Sequence, residues 1–326
     1  MISRAVSVAP MMGWTDRHAR YFLRLITRHT WLYTEMVNTG AMLNNRQTIG
    51  EQKRFLAHHF DEHPLALQLG GSDPDDLAQC AGMVEDAGFD EVNLNVGCPS
   101  DRVRSGNFGA CLMADPELVA DCVHAMKTRV SIPVTVKCRI GIDDMEGYEP
   151  LQNFIDRVAE SGCQTFVVHA RKAWLQGLSP KQNRDVPPLK YEFVHRLKQD
   201  RPELTIVING GIKDIAVSRQ QLEHVDGVMI GREAYYNPYM LSNVDRDIFK
   251  SSDAVIKSRD EIVLQMLDYI DQQVSTGTEL HSITRHMLGL YHACPGAKSW
   301  RHHLSEQAHR EGADSTVVRE ALQFVR

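Results

Sequence analysis

Three things are missing from this chain, and each narrows what it can be. Its seven cysteines are scattered, with no Cys-x-x-Cys pair and no Cys/His spacing of the zinc-site kind. Neither a structural zinc nor an iron–sulfur cluster is expected, and reduced thiols in a cytosol are. No apolar run approaches the ~20 residues that a bilayer-spanning helix needs. The opening Met1-Ile2-Ser3-Arg4-Ala5-Val6 enters a strand at once, which leaves no room for a signal peptide. The expectation is a soluble cytoplasmic protein with no membrane partner, no metal and no obligate protein partner. No charge of one sign dominates either. Lys+Arg total 36 against 42 Asp+Glu, a formal net charge of −6, so the whole does not announce a nucleic-acid partner.

What is present is a repeating alternation. A chain of 326 residues, 43% of them hydrophobic, can bury one large core or two unequal ones. Short apolar strand-like segments fall at residues 6–9, 31–34, 65–68, 92–95, 134–137, 165–168, 205–208 and 227–230. Amphipathic patterns lie between them. One helix is predicted over residues 16–28, a second over 74–87 behind the cap Ser72-Asp73-Pro74, and another opening at Asp115-Pro116. Buried strands alternating with helices imply a parallel sheet covered on both sides. Eight such units within residues 1–245 match an α/β fold of the (β/α)8 TIM-barrel type, ~250 residues long. A doubly wound open sheet is the alternative, but it would carry a glycine fingerprint after its first strand, and here that strand runs into Ala9-Pro10-Met11. Strand patterns stop near Asn243, and residues 251–326 show helical periodicity alone. One helix begins at Asp260, residues 283–290 sit in another, Pro295-Gly296 break the pattern, and residues 304–308 resume it. A C-terminal all-helical domain is the reading.

In such a barrel the loops that follow the strands share one open mouth, so chemistry gathers there. The predicted strand ends carry Ala9-Pro10-Met11, Glu35, Gln68, Asn95 with Cys98, Lys137 with Arg139, His169 with Arg171, Asn209-Gly210-Gly211, and Gly231-Arg232. Cys98, between Gly97 and Pro99, sits on a stiff loop where a thiol can hand a proton to something bound above the sheet. Cys80 and Cys122 fall on helical faces and read as packing residues. Glycines after strands seven and eight let backbone N–H groups approach a ligand, and this is the recurrent phosphate site of the fold. Either glycine cluster alone could simply be a tight turn; both together, with Arg232 as counter-charge, point to a phosphate. Gln68 and Lys137 suit a flat hydrogen-bonding ring such as a flavin, whose reduced anion a cation stabilises. The other reading of Lys137 is a salt bridge at the mouth. A hydride carrier beside a thiol acid points to reduction of a polarised double bond.

The motifs Ser7-Val8-Ala9-Pro10-Met11, Trp14-Thr15-Asp16-Arg17-His18, Ala66-Leu67-Gln68-Leu69-Gly70-Gly71, Asn93-Leu94-Asn95-Val96-Gly97-Cys98-Pro99, Val136-Lys137-Cys138-Arg139-Ile140-Gly141, His169-Ala170-Arg171, Asn209-Gly210-Gly211 and Gly231-Arg232 stand in order along nearly the whole chain. Through them the chain resembles the dihydrouridine synthases, flavoenzymes that reduce uridine in tRNA. Lys172-Ala173-Trp174-Leu175, Gly177-Leu178-Ser179-Pro180-Lys181, Asn183-Arg184, Pro187-Pro188-Leu189 and residues 284–290 resemble the bacterial A-type branch, which acts at positions 20 and 20a of the D-loop. The resemblance implies FMN held by Ala9, Pro10, Met11, Gln68, Lys137, His169, Asn209, Gly210, Gly211, Gly231 and Arg232. It implies NADPH as reductant, with NADH as the alternative. Cys98 would give a proton to uracil C5 while the flavin gives hydride to C6. Asn95 would touch the target uridine, and Lys181, Arg184, Arg285 and Arg301 the tRNA. Locally the charge allows this. Residues 172–201 hold seven Lys/Arg against three Asp/Glu, and residues 281–310 hold four Lys/Arg, six His and one Glu. Two rivals remain at this stage: a flavin enzyme of free pyrimidines, similar to dihydroorotate dehydrogenases, and a catalytically silent RNA-binding scaffold.

Overall fold

The computed structural model describes residues 3–43 and 55–325; the first two residues of the opening segment and Arg326 lie outside them. Eight strands form one all-parallel sheet: β1 (Val6–Val8), β2 (Leu32–Asn38), β3 (Leu65–Gly70), β4 (Glu91–Val96), β5 (Val134–Arg139), β6 (Thr165–His169), β7 (Thr205–Asn209) and β8 (Gly227–Ile230). Neighbours in the sheet are neighbours in sequence, and β8 pairs with β1. The ring closes between β1 and β2, where Val8 N donates to Trp31 O at 2.8 Å and Trp31 N to Val6 O at 3.1 Å. Closure leaves no open edge and points every strand end toward one mouth.

The interior of the ring divides into two halves. Ala9, Trp31, Tyr33, Ala66, Val167, Val207 and Met229 form an apolar cluster separate from the main core. The main core lies outside the ring, between strands and helices. Alternation on β4 sends Val92, Leu94 and Val96 outward into that core and turns Glu91, Asn93 and Asn95 inward. Parallel register sets Gln68 beside Asn93, Asn93 beside Thr135, and Asn95 beside Lys137. Strands β3 to β5 thus supply a polar half to an interior that such barrels fill mainly with branched apolar side chains.

The predicted helices form behind their aspartate caps. Asp16 accepts from His18 N and Ala19 N ahead of the helix Arg17–Ile26, and Asp73 and Asp115 cap Pro74–Asp86 and Pro116–Arg129. Two expectations are corrected. Strand β2 does not stop before Glu35. A register shift between Tyr33 and Met36 carries it on to Asn38, with Thr34 Oγ1 accepting from Gln68 N at 3.1 Å; Glu35 lies inside the strand and accepts from Gly13 N. Residues 283–290 are not one helix. The helix Leu280–Thr284 ends early, and tight i→i+3 turns follow, His286 N to Ile283 O and Met287 N to Thr284 O.

After β8 the described chain is helical. The helix Arg259–Ser275, opened by a Ser258/Glu261 capping box, lies on Arg17–Ile26, with Tyr21 and Tyr269 stacked at 4.0 Å between ring centroids. Gly289 comes so close to the segment after β8 that a Cβ there would meet Tyr236 O at 2.5 Å and Tyr236 C at 2.8 Å. Those are backbone atoms and cannot swing aside. Gly289→Ala is therefore expected to destabilise the protein by about 1–3 kcal/mol, read as a lower urea midpoint; a variant that unfolds with the wild type would show that this junction yields without cost.

Candidate active site at the barrel mouth

The loop after β4 is pinned from several directions. Asn95 Oδ1 accepts from Gly97 N at 3.1 Å and Cys98 N at 3.0 Å. Arg139 Nε donates to Gly97 O at 3.1 Å, and Ala110 N donates to Cys98 O at 2.9 Å. Cys98 itself is half-buried, its thiol 3.4 Å from Ser100 Oγ. Cys80 and Cys122 are fully buried, as expected for packing, and burial pushes each thiol up to about 12. None of the seven cysteines forms a disulfide.

Beside this loop stands a group of cations with little to balance them. Burial, and then the Arg139 charge, pull the Lys137 ammonium down to about 8. Its hydrogen-bond partner is the amide Asn209 Oδ1 at 3.2 Å; among the described residues no carboxylate pairs with it. The salt-bridge reading of Lys137 is thus not what the structure shows. Burial likewise lowers Arg139 to about 10. His169 is held well below its ordinary value, first by burial and then by the Arg139 and Lys137 charges, so at neutral pH it is a neutral imidazole. Arg171 donates to Pro187 O and leaves a buried Nε with no acceptor. Among the described residues no carboxylate forms an ion pair with Lys137, Arg139 or Arg171, so positive charge is concentrated at the mouth.

The glycine turns complete the floor. Gly210 and Gly211 have φ of +112° and +71°, and a Cβ on Gly210 would meet the His169 ring at 2.7 Å. Tyr191 OH donates to Gly210 O at 2.6 Å. Gly231 stands against Ala9, with Ala9 N donating to Ile230 O at 2.8 Å, and Met11 N donates to Thr15 Oγ1; Pro10 lies half-buried between them. One expectation needs adjusting. Arg232 opens a helix of only five residues, Arg232–Tyr236, whose dipole is small. Its guanidinium is also not free: Asp185 takes it through two contacts, at 2.6 and 3.2 Å. That pair is about half exposed and so weakly held.

The residues read as facing RNA separate into paired and unpaired groups. In the stretch 172–201, Lys172, Arg196, Lys198 and Arg201 form ion pairs with Glu146, Asp200, Asp226 and Asp156. Lys181 and Arg184 are exposed and pair with no carboxylate among the described residues. Asn183 between them is buried and staples the loop: it donates to Trp174 O at 2.9 Å and Leu178 O at 3.1 Å, and its carbonyl takes Arg139. Arg301 is exposed on the helix Ala297–Gln307. Arg285 is engaged otherwise. Its guanidinium bonds Asp16, which His286 also holds at 3.0 Å, tying the helical annex to the loop after β1. Burial alone would raise the Asp16 pKa; the hydrogen bond and charge of His286 outweigh it and hold the carboxyl well below its ordinary range. Sequence reasoning had placed Arg139 and Arg171 at strand ends but left them out of the site. It quotes Asn93 and Asn183 only within motifs and gives no role to them, to Thr135 or to Glu91. For Asn93 and Glu91 the available signal is the two-residue alternation of polar side chains on β4; Thr135 lies on β5.

A closed parallel barrel thus gathers at its mouth a half-buried thiol, buried cations and paired glycine turns. The chain is a member of the dihydrouridine synthase family, whose model, "Dihydrouridine synthase (Dus)", matches residues 7–326. Proteins named tRNA-dihydrouridine(20/20a) synthase are similar along its length. That of Vibrio parahaemolyticus is 58% identical over 318 residues, 97% of this chain and 95% of that protein. That of Escherichia coli strain K12 is 58% identical over 320 residues, 98% and 91% of the two chains. Among solved structures, morphinone reductase shares the fold at 13% identity, with a TM-score of 0.53 over 79% of this chain and 87% of that one.

The depressed Lys137 pKa carries a stability consequence. A lysine whose folded pKa lies below its ordinary 10.5 is disfavoured as a cation in the fold. The penalty is complete below about pH 8 and is relieved as pH rises toward the ordinary value. Ligand-free Lys137→Met is expected to exceed the wild type in stability by up to about 3 kcal/mol at neutral pH, the gain shrinking above pH 8. Urea unfolding at several pH values checks it; a loss of stability at neutral pH would mean that the cation has a counter-charge.

Proposed function

We propose that this chain reduces uridine to 5,6-dihydrouridine in the D-loop of tRNA, at positions 20 and 20a, in the cytoplasm, using FMN that is itself reduced by NADPH. The observation that carries the reading is Cys98, held by Asn95 at the end of β4 and facing the cations around Lys137. The residues fit the cofactor. Lys137 lacks a carboxylate, the buried Arg171 Nε lacks an acceptor, and the Gly210 turn packs bare backbone against the His169 ring, where a Cβ would come within 2.7 Å. Gln68, Lys137, His169 and Asn209 would hold the ring, and Gly210, Gly211, Gly231 and Arg232 the phosphate, with Ala9, Pro10 and Met11 closing one side. Arg232 would exchange an exposed carboxylate partner for a phosphate, a small change in energy.

When bound there, the flavin supplies hydride to C6 of the uracil. The protein's part is the proton. Cys98 gives its S–H proton to C5 as the C5–C6 double bond is consumed, and the thiolate left behind lies in the field of Lys137, Arg139 and Arg184. Asn95 would orient the base while its carbonyl fixes the loop. The target uridine must leave its stack to reach the mouth, where Trp174 and Tyr236 are partly exposed. Residues 251–326 serve as the RNA-facing domain beside the barrel of residues 1–245, with Lys181, Arg184 and Arg301 as free cations and Arg285 as the tie to Asp16.

Cys98→Ala is expected to keep its yellow flavin and its reduction by NADPH while dihydrouridine formation falls about 10²–10⁴-fold. Single-turnover assay of both half-reactions checks it, and dihydrouridine formed at the wild-type rate would remove Cys98 from the role. Gly210→Val is expected to lose flavin and to lower the urea midpoint as well, because a β-branched residue is strained at φ +112° and its Cβ meets the His169 ring; full flavin occupancy in that variant would move the phosphate elsewhere.

A further inference from the structure

We propose that Glu91, Thr135 and Asn93 are positioning residues: a buried relay that runs from the barrel floor to the mouth and fixes Asn95, and through it the Cys98 loop. The part about Cys98 rests on the proton-donor reading above.

The relay is continuous. At the floor Glu91 is fully buried, paired with Arg4 and hydrogen-bonded by Tyr33 OH at 2.8 Å. Thr135 Oγ1 donates to Glu91 Oε1 at 2.6 Å. Asn93 Nδ2 donates to Thr135 Oγ1 at 2.8 Å, Gln68 Nε2 to Asn93 Oδ1 at 2.8 Å, and Asn95 Nδ2 to Gln68 Oε1 at 2.8 Å. Asn95 Oδ1 then takes the two loop amides, Gly97 N and Cys98 N.

The two ends fix the direction of everything between. An ionised carboxylate only accepts and a peptide N–H only donates. Three amide side chains and a hydroxyl could each point either way in isolation. Strung between Glu91 and the loop, they satisfy both ends in one sense, every donor pointing toward the floor. A reversed Asn95 would set its NH2 against two N–H donors, and the Cys98 loop would lose both bonds. The charge at the floor therefore specifies an orientation at the mouth. Such a column costs more to bury than the apolar filling of the opposite half of the ring, which argues that it is kept for position rather than for stability.

Thr135 is the link to cut, because it touches neither the mouth nor the flavin residues. Thr135→Val removes the hydroxyl at nearly constant shape, and Thr135→Ser restores it. Hydrogen exchange read by mass spectrometry on the peptide containing Gly97 and Cys98 is expected to speed about tenfold in the valine variant and to return toward wild type in the serine variant. With tRNA, kcat should fall about tenfold or more while KM for tRNA stays unchanged, and the serine variant should recover it. Tyr33→Phe removes a donor to the same glutamate from outside the relay; its exchange at Gly97 and Cys98 should stay at the wild-type rate whatever its melting point. Thr135→Ala serves where the valine variant does not accumulate. Wild-type exchange in Thr135→Val, or equal acceleration in the valine and serine variants, overturns the relay. The exchange readout needs no catalysis, so its failure is distinct from failure of the proposed reaction, which the Cys98→Ala assay decides.

Discussion

The Arg4–Glu91 pair at the floor of the barrel is the contact on which the polar half of the interior depends. A carboxylate buried to this depth is costly unless it is paired and its remaining lone pairs are filled. Arg4, itself stacked over Trp31 at 4.3 Å, meets Oε2 as an ion pair, while Tyr33 and Thr135 both donate to Oε1; Oε2 has no hydrogen bond of its own. Paired with Arg4 and accepting from Tyr33 and Thr135, the glutamate stands as an acceptor at one end of β4, and the polar side chains above it acquire a defined sense. The apolar half, from Trp31 round to Met229, does the complementary work of packing the ring and holding the strand tilt. One half makes the barrel stable and the other makes it specific.

Charge is divided in the same way between whole and part. The chain is acidic overall, yet its mouth holds Lys137, Arg139, Arg171 and Arg184 around a neutral His169. Burial, and then the charges of neighbouring cations, lower the Lys137 and Arg139 pKa values, a cost met by the fold elsewhere. Asp185 moderates this field from the rim by holding Arg232. Along residues 172–201 the outer helix and Arg201 neutralise their cations through Asp156, Asp200 and Asp226; in the loop before it Lys172 pairs with Glu146, while Lys181 and Arg184 pair with no carboxylate among the described residues. Net charge over a stretch of sequence therefore overstates its reach toward RNA; pairing decides which cations are available.

Much of this was legible in the sequence because it is local. Eight apolar segments, each followed by a turn and a capped helix, define a parallel barrel without any long-range information, and the strand ends then fall in one place by topology. Cys98, Gln68, Lys137, His169 and the glycine pairs are placed at the C-terminal ends of their strands that way, and there they lie. What was not legible depends on residues far apart in the chain. The Arg232–Asp185 pair joins two different strand-end loops, and the Glu35 position depends on a register shift in β2. The break after Thr284 reflects the close approach of Gly289 to the backbone at Tyr236, which no helical periodicity records. The relay from Glu91 to Asn95 alternates along β4 in plain view, but its partners on β3 and β5 become visible only once the register is known.

Asp16 shows how the same logic joins the annex to the barrel. As the N-cap of the first helix it faces two backbone amides, and its second oxygen takes Arg285 and His286 from beyond the last strand. One carboxylate thus sets the start of the helix Arg17–Ile26 and the seat of the helical region that rests on it, beside the stacked Trp14 and Tyr235. Because its folded pKa is held below the ordinary carboxylate value, this contribution is complete above that value and is lost only as pH falls below it. Across the physiological range Asp16 itself therefore stays ionised. Arg285, read from the sequence as a tRNA contact, therefore also holds the annex in register with the loop after β1, while Arg184 and Arg301 pair with no carboxylate among the described residues.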